Sequence, residues 1–322
     1  MVLTEDQVKE RLGHDKMIET IDHMSPVYLE GIKRILTVSA DTELISAPAY
    51  YLAAQDAPST NAYLSAMSII QGEMGHAHIA YRMLEDLGVS KEQLVYERRP
   101  EDFKYPYAFD VPLETWEELV IANALYDRAG FVLLSDVFKH TTYGPWKRAL
   151  AKVDKEELFH LRHGETWMKK INKTPEGHAK LQQAVDWMFP LTVEWFGLPD
   201  THKKHSIQID YGFKGYTNDQ LRQIWMSSAI PFLNSLNIDV PAYYDKDADQ
   251  YVVTFPFPSR FDVEEKRWIF EEGEIGWDKV IQRWKARGPN NHKFVSEIQR
   301  GYSQMNDMPE VGNRRWKEII AA

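Results

Sequence analysis

Between Ser25 and Trp167 the apolar positions fall into four long stripes with steps of three and four residues, the rhythm of one helical face against a core. The first stripe runs Ile32, Leu36, Ser39, Glu43, Ala47 and follows Ser25-Pro26, an N-cap serine with proline at the first helical position. The second begins near Ser59 or Thr60, carries Ala62, Ala66, Ile69, Glu73, His76, Ala80 and Met83, and stops at Gly88. After Pro112 a third reads Trp116, Val120, Ala124, Asp127, Phe131, Leu134, Phe138, and after Gly144-Pro145 a fourth reads Trp146, Leu150, Val153, Glu157, His160, Gly164, Trp167. Further helix is predicted over 175–196, over 218–236, and in two pieces between Val263 and Met305. The run "QYVVTFPFP" (250–258) is the one strand-like stretch, read as an arm of a small hairpin. The fold class expected is all-α: a ferritin-like four-helix bundle over 1–200, with a helical extension and a small β-hairpin over 201–322 packed on it.

Each stripe is broken on its core side by a carboxylate, and two of these acids are followed three residues later by histidine. The order repeats: Glu43 to Glu73 and Asp127 to Glu157 are each 30 residues apart, so the chain reads acid, then Glu-x-x-His, twice. Of the 11 histidines only His76 and His160 have glutamate at position −3. A three-residue step leaves Glu and His about 60° apart on one helix face and about one turn from each other, so both reach one ion. One carboxylate from each of two helices and Glu-x-x-His from the other two is the ligand set of di-iron and di-manganese bundles. Isolated buried charges are costly, and two cations on Glu43, Glu73, His76, Asp127, Glu157 and His160 remove that cost. The oxygen-rich donors favour iron or manganese over structural zinc, and iron suits dioxygen chemistry. Competing readings are that Glu43 pairs with an arginine and that Asp127 pairs with Arg128 or Arg34. His78 and His163 point elsewhere on the same helices, and His202 and His205 fall in a loop, "DTHKKH".

Composition narrows the chemistry further. The formal charge of −10 disfavours duplex nucleic acid as a partner. With Cys 0, thiolate nucleophiles, disulfides and chain-borne iron–sulfur clusters are excluded. Neither G-x-G-x-x-G nor a phosphate-binding G-x-x-x-x-G-K-[ST] loop occurs, so reducing electrons for dioxygen have to come from another protein. No segment has the roughly 20 apolar residues of a membrane span, nor is there a signal-like leader, and a cytoplasmic location is expected.

Five stretches are similar to one family: "HAHIAYRMLEDLG" (76–88), "FKYPYAF" (103–109), "TTYGPWKRAL" (141–150), "KEELFHLRHG" (155–164) and "YTNDQLRQ" (216–223). On them the chain resembles, nearly end to end, the catalytic A subunits of ring-1,2-phenylacetyl-CoA epoxidases, ferritin-like multicomponent monooxygenases. The resemblance implies epoxidation of the aromatic ring of phenylacetyl-CoA or a similar CoA thioester, with O2 as co-substrate and two Fe ions (Mn the alternative) on the six residues above. It implies a non-catalytic ferritin-like companion subunit together with a small subunit and a reductase that carries the NADPH and FAD/Fe-S chemistry, hence a hetero-oligomer, with a homodimer as the state of the chain alone. Arg34, Lys104 and Lys214 stand where that family places basic residues near the CoA phosphates. Ile69 stands where it carries a lysine, so the acyl contact differs locally. Phe109 and Phe131 are expected in the wall of the ring pocket. The alternatives are a structural subunit that has lost its chemistry, a ferroxidase-like iron-handling protein, and an oxidase that makes a tyrosyl radical.

Overall fold

The computed structural model describes residues 3–14, 16–203 and 206–306. Helices α1 (Glu5–Gly13), α2 (Pro26–Ala54) and α3 (Thr60–Asp86) are followed by α4 (Trp116–His140), α5 (Gly144–Ile171) and α6 (Pro175–Trp195). Their starts are written in side chains: the hydroxyls of Ser25, Ser59 and Thr115 accept from Tyr28 N, Ala62 N and Glu118 N, and Thr115 with Glu118 closes a reciprocal cap on α4. Gly88, at φ +79°, takes the left-handed conformation just past the end of α3.

Short connections fold α2 with α3 and α4 with α5 into two helical hairpins, and the hairpins face each other through α3 against α5 and α2 against α4. The four stripes meet in this space, an all-α ferritin-like bundle. Helices α4 and α5 approach closely at Gly164, where a Cβ would lie 2.5 Å from the Ala124 nitrogen and 2.8 Å from the Val120 carbonyl oxygen. The long connection between the hairpins, residues 87–115, runs the length of the bundle beside α2, from Asp41 past Tyr50, where Phe109 packs, to Asp56, whose carboxylate accepts from Trp116 N (3.3 Å) at the start of α4. It is pinned by Asp41, which sits buried on α2 and accepts from both Arg98 guanidinium nitrogens (2.9 and 2.6 Å), from the Tyr81 hydroxyl (2.6 Å) and from Lys104 N (2.7 Å).

After α7 (Ile207–Asp210) and α8 (Asn218–Ser235) come two antiparallel hairpins, β1 (Ala242–Asp245) with β2 (Gln250–Val253) and β3 (Arg260–Asp262) with β4 (Arg267–Ile269), then α9 (Trp277–Ala286) and α10 (Pro289–Asn306). The second hairpin occupies the start of the stretch expected to be helical from Val263. Its three-residue strands are too short to show alternation, and Lys266 turns the chain at φ +47° where the Glu-Glu-Lys run reads as helix. Helix α1 was not expected either; only Val8 on it is fully buried, and a Thr4–Gln7 capping box starts it. The C-terminal elements share the bundle's core. Trp225 on α8 donates its indole N–H to Leu125 O of α4 (3.1 Å), Trp268 on β4 donates to Trp187 O of α6 (3.0 Å), and Arg287 pairs with buried Asp110 (3.0 Å). No helix among the described residues is long and apolar enough to cross a membrane.

Candidate metal centre

The structure brings all six predicted ligand residues together, every one buried, in the middle of the bundle. Oxygen or nitrogen atoms of Glu43, Glu73, His76 and Glu157 lie within 4.8 Å of one another, and so do those of Glu73, Asp127 and His160. Glu73 belongs to both groups, and Glu157 also reaches His160, its Oε1 3.8 Å from His160 Nδ1. The two imidazoles lie side by side, ring centroids 5.9 Å apart. Both turn Nδ1 inward: that of His76 is 3.1 Å from Glu157 Oε1 and 3.5 Å from Glu43 Oε2, and that of His160 is 3.0 Å from Glu73 Oε1.

The orientation of these atoms tests whether metal fits. Glu73 Oε1, His76 Nδ1, Glu157 Oε1 and His160 Nδ1 are all buried without an aligned hydrogen-bond partner. Such atoms are rare in folded proteins and costly unless something satisfies them. Here all four point into one space. Four carboxylates around two neutral imidazoles leave a charge that two divalent cations would cancel. Without metal, protons do part of this work. Burial opposes a charge on His76, yet the Glu157 and Glu43 carboxylates push its imidazole up to about 12, and Glu73 similarly pushes His160 up to about 9. Glu73 is held down to about 2 against its burial by His160 and Glu43, while burial and the charge of Glu73 push Glu43 and Asp127 up.

Neighbouring side chains aim the cluster. His76 Nε2–H donates to Glu156 Oε2 (2.9 Å), which fixes the ring with Nδ1 facing in. Ser46 donates to Glu73 Oε2 (2.9 Å). His160 Nε2 rests against the bare Cα of Gly72, where an added Cβ would meet it at 3.1 Å. Asp127 is gripped from both sides: the Tyr50 hydroxyl donates to Oδ1 and the Asn123 amide to Oδ2 (2.8 Å), and Asn123 is itself held by His163 Nδ1 (3.0 Å). His163 is therefore buried two contacts from the ligands, with burial and the His160 charge pulling it down to about 4, whereas His78 is exposed against Lys91 (3.1 Å). The competing pairings do not form. Arg128 binds Glu165 (2.6 Å), and Arg98 binds Asp41 rather than Glu43.

Glu43 also forms part of the floor of a cavity of about 230 Å³, whose walls are mainly Ile35, Leu133, Leu134, Val137, Trp195 and Phe196, with Gly130 beside Glu157 and Lys214 at its edge. The expected wall residues differ. Phe109 stands behind Trp195 (ring centroids 5.2 Å), and neither it nor Phe131 lines this cavity; Ile69 is in the core one turn before Glu73. An adjoining cavity of about 520 Å³ shares Val38, Pro106 and Trp195 with the first, and both Arg34 and Lys104 line it. Lys214, buried and bonded to Asn218 (2.8 Å), is placed by Asp136 of α4, which accepts from Gly215 N (3.1 Å). Lys203 stands close to both Arg34 and Lys214, and this fourth cation was not singled out from the sequence. His202 is exposed near Trp277, and His205 lies outside the described residues.

Fold and site together define a ferritin-like bundle with a buried carboxylate–histidine centre beneath an apolar cavity. The chain belongs to the family described as Phenylacetic acid catabolic protein, whose profile matches residues 8–256. It is similar to the A subunit of the 1,2-phenylacetyl-CoA epoxidase of Escherichia coli (strain K12), 26% identical over 302 residues that make up 93% of this chain and 92% of that one.

Proposed function

We propose that the chain is the catalytic subunit of a multicomponent di-iron monooxygenase that epoxidises the aromatic ring of phenylacetyl-CoA or a similar aryl-CoA thioester, with electrons from a separate NADPH-dependent reductase. The observation that carries this reading is the set of four orphaned buried atoms, converging beside a cavity large enough for a ring. Glu43, Glu73, His76, Asp127, Glu157 and His160 would hold two iron ions, which supply the reduction of dioxygen. The chain's own work is placement. Leu133, Leu134, Val137 and Trp195 exclude water and hold the ring beside Glu43. Arg34, Lys104, Lys203 and Lys214 face the outer end, where the CoA phosphates find paired charge. Glu156, Asn123 and Tyr50 keep the ligands oriented as charge changes in the centre.

The complete ligand set argues against a structural subunit that has lost its chemistry, and the apolar cavity beside Glu43 argues against iron handling alone. Companion and small subunits complete the proposed assembly, in the cytoplasm. The test is metal analysis with turnover of phenylacetyl-CoA in the presence of reductase and companion subunit. Two irons per chain and an epoxide product are expected, and Glu157→Ala should abolish both. Two irons retained by that variant would sink the ligand assignment.

A further inference from the structure

Tyr50 lies two turns beyond Glu43 on the same face of α2, fully buried. Its hydroxyl donates to Asp127 Oδ1, so a phenol stands one hydrogen bond from a residue of the candidate centre. The other Asp127 oxygen accepts from the Asn123 amide (2.8 Å), so the carboxylate is held from both sides. Around the phenol the rings continue: Phe109 meets Tyr50 edge-on at 5.8 Å and packs on Tyr126 at 5.7 Å and Trp195 at 5.2 Å. This enclosure keeps water from the ring. Tyrosine is oxidisable, and an O–H already bonded to a carboxylate can release its electron and its proton together, without creating a charge in the dry core.

We propose that Tyr50 is a redox-active residue, the internal one-electron donor to the centre when no aromatic ring occupies the cavity. The inference rests on the di-iron reading above. Dioxygen takes four electrons and four protons to become two waters. Two ferrous ions give two electrons and become ferric; Tyr50 gives one electron and its phenolic proton; an external reductant of the flavin or iron–sulfur class gives the fourth electron, and solvent the other three protons. The bond broken on the protein is the Tyr50 O–H, its proton leaves through Asp127 Oδ1, and a neutral phenoxyl radical remains.

The experiment uses the full chain loaded with ferrous iron, with ascorbate as electron donor, mixed with dioxygen in the absence of CoA thioester and frozen for electron paramagnetic resonance. An organic radical is expected whose hyperfine pattern narrows when the protein's tyrosines are ring-deuterated. It should vanish in Tyr50→Phe, with the radical yield counted per ferrous ion bound and oxidised in that variant, and persist in Tyr126→Phe. Ferrous oxidation in the parent protein with no radical, or the same radical in Tyr50→Phe, overturns the proposal. Should Tyr50→Phe fold poorly, fluorotyrosine inserted at position 50 replaces it: fluorine hyperfine must appear, and its absence is equally fatal. Iron oxidised without a radical sinks this inference alone, whereas a radical without turnover of phenylacetyl-CoA sinks only the substrate assignment.

Discussion

Lys214 is a lysine in an unfavourable place: burial and the nearby Lys203 charge pull its ammonium down to about 8. A CoA phosphate beside it would push the value back up, so binding takes up a proton wherever the free lysine is neutral. CoA affinity should therefore be flat below about pH 8 and fall as pH rises above it, by up to about tenfold per unit. Calorimetric titration with CoA above pH 7, where the phosphate is already dianionic, reads this directly, and Lys214→Gln should bind more weakly with the slope gone. An unchanged slope in that variant would remove Lys214 from the phosphate site. Tyr50 shows the limit of stripe reading at the same scale. It is the next three-residue step after Ala47, so the spacing that located Glu43 also pointed to it. A tyrosine on a core stripe looks like packing until its partner across the bundle is known.

Helices α4 and α5 meet backbone to backbone at Gly164, and that closeness sets the position of Asn123 and, through it, Asp127. Gly164→Ala would place a methyl against main-chain atoms that cannot turn aside, with 2.7 Å to the Asn123 carbonyl carbon. Overpacking of this kind costs about 1–3 kcal/mol. The urea midpoint should fall accordingly and iron retention with it; a variant as stable as the parent would show the helices free to separate. Elements of this length were legible because helical spacing and caps are local: the Ser25 cap, the start near Ser59 or Thr60, the punctuation at Pro112 and the 30-residue repeat mark where the helices begin and which acids share a face. Contacts between helices were not. Glu156 reads as an exposed neighbour of Glu157, yet it reaches across to His76 on α3, and Lys203 becomes part of a basic group only when the chain after α6 returns to α2. The hairpins escaped for a different reason, since strands of three or four residues carry too few positions to establish a period.

Across the whole molecule, residues 201–306 lean on the bundle through Trp225, Trp268 and Arg287 rather than through a linker. We propose that they form an extension of a single cooperative unit. Thermal unfolding followed by tryptophan fluorescence and by helix content should give coincident transitions; two separated transitions would make the extension a domain of its own. The 307–322 part of this extension lies outside the described residues. At the heart of the unit, the centre is not symmetric. Its Asp127 end is closed by Tyr50 and Asn123, and its Glu43 end opens on the apolar cavity. The protein thus gives its centre two unlike flanks, a polar one that grips Asp127 and a greasy one that leaves Glu43 next to open space.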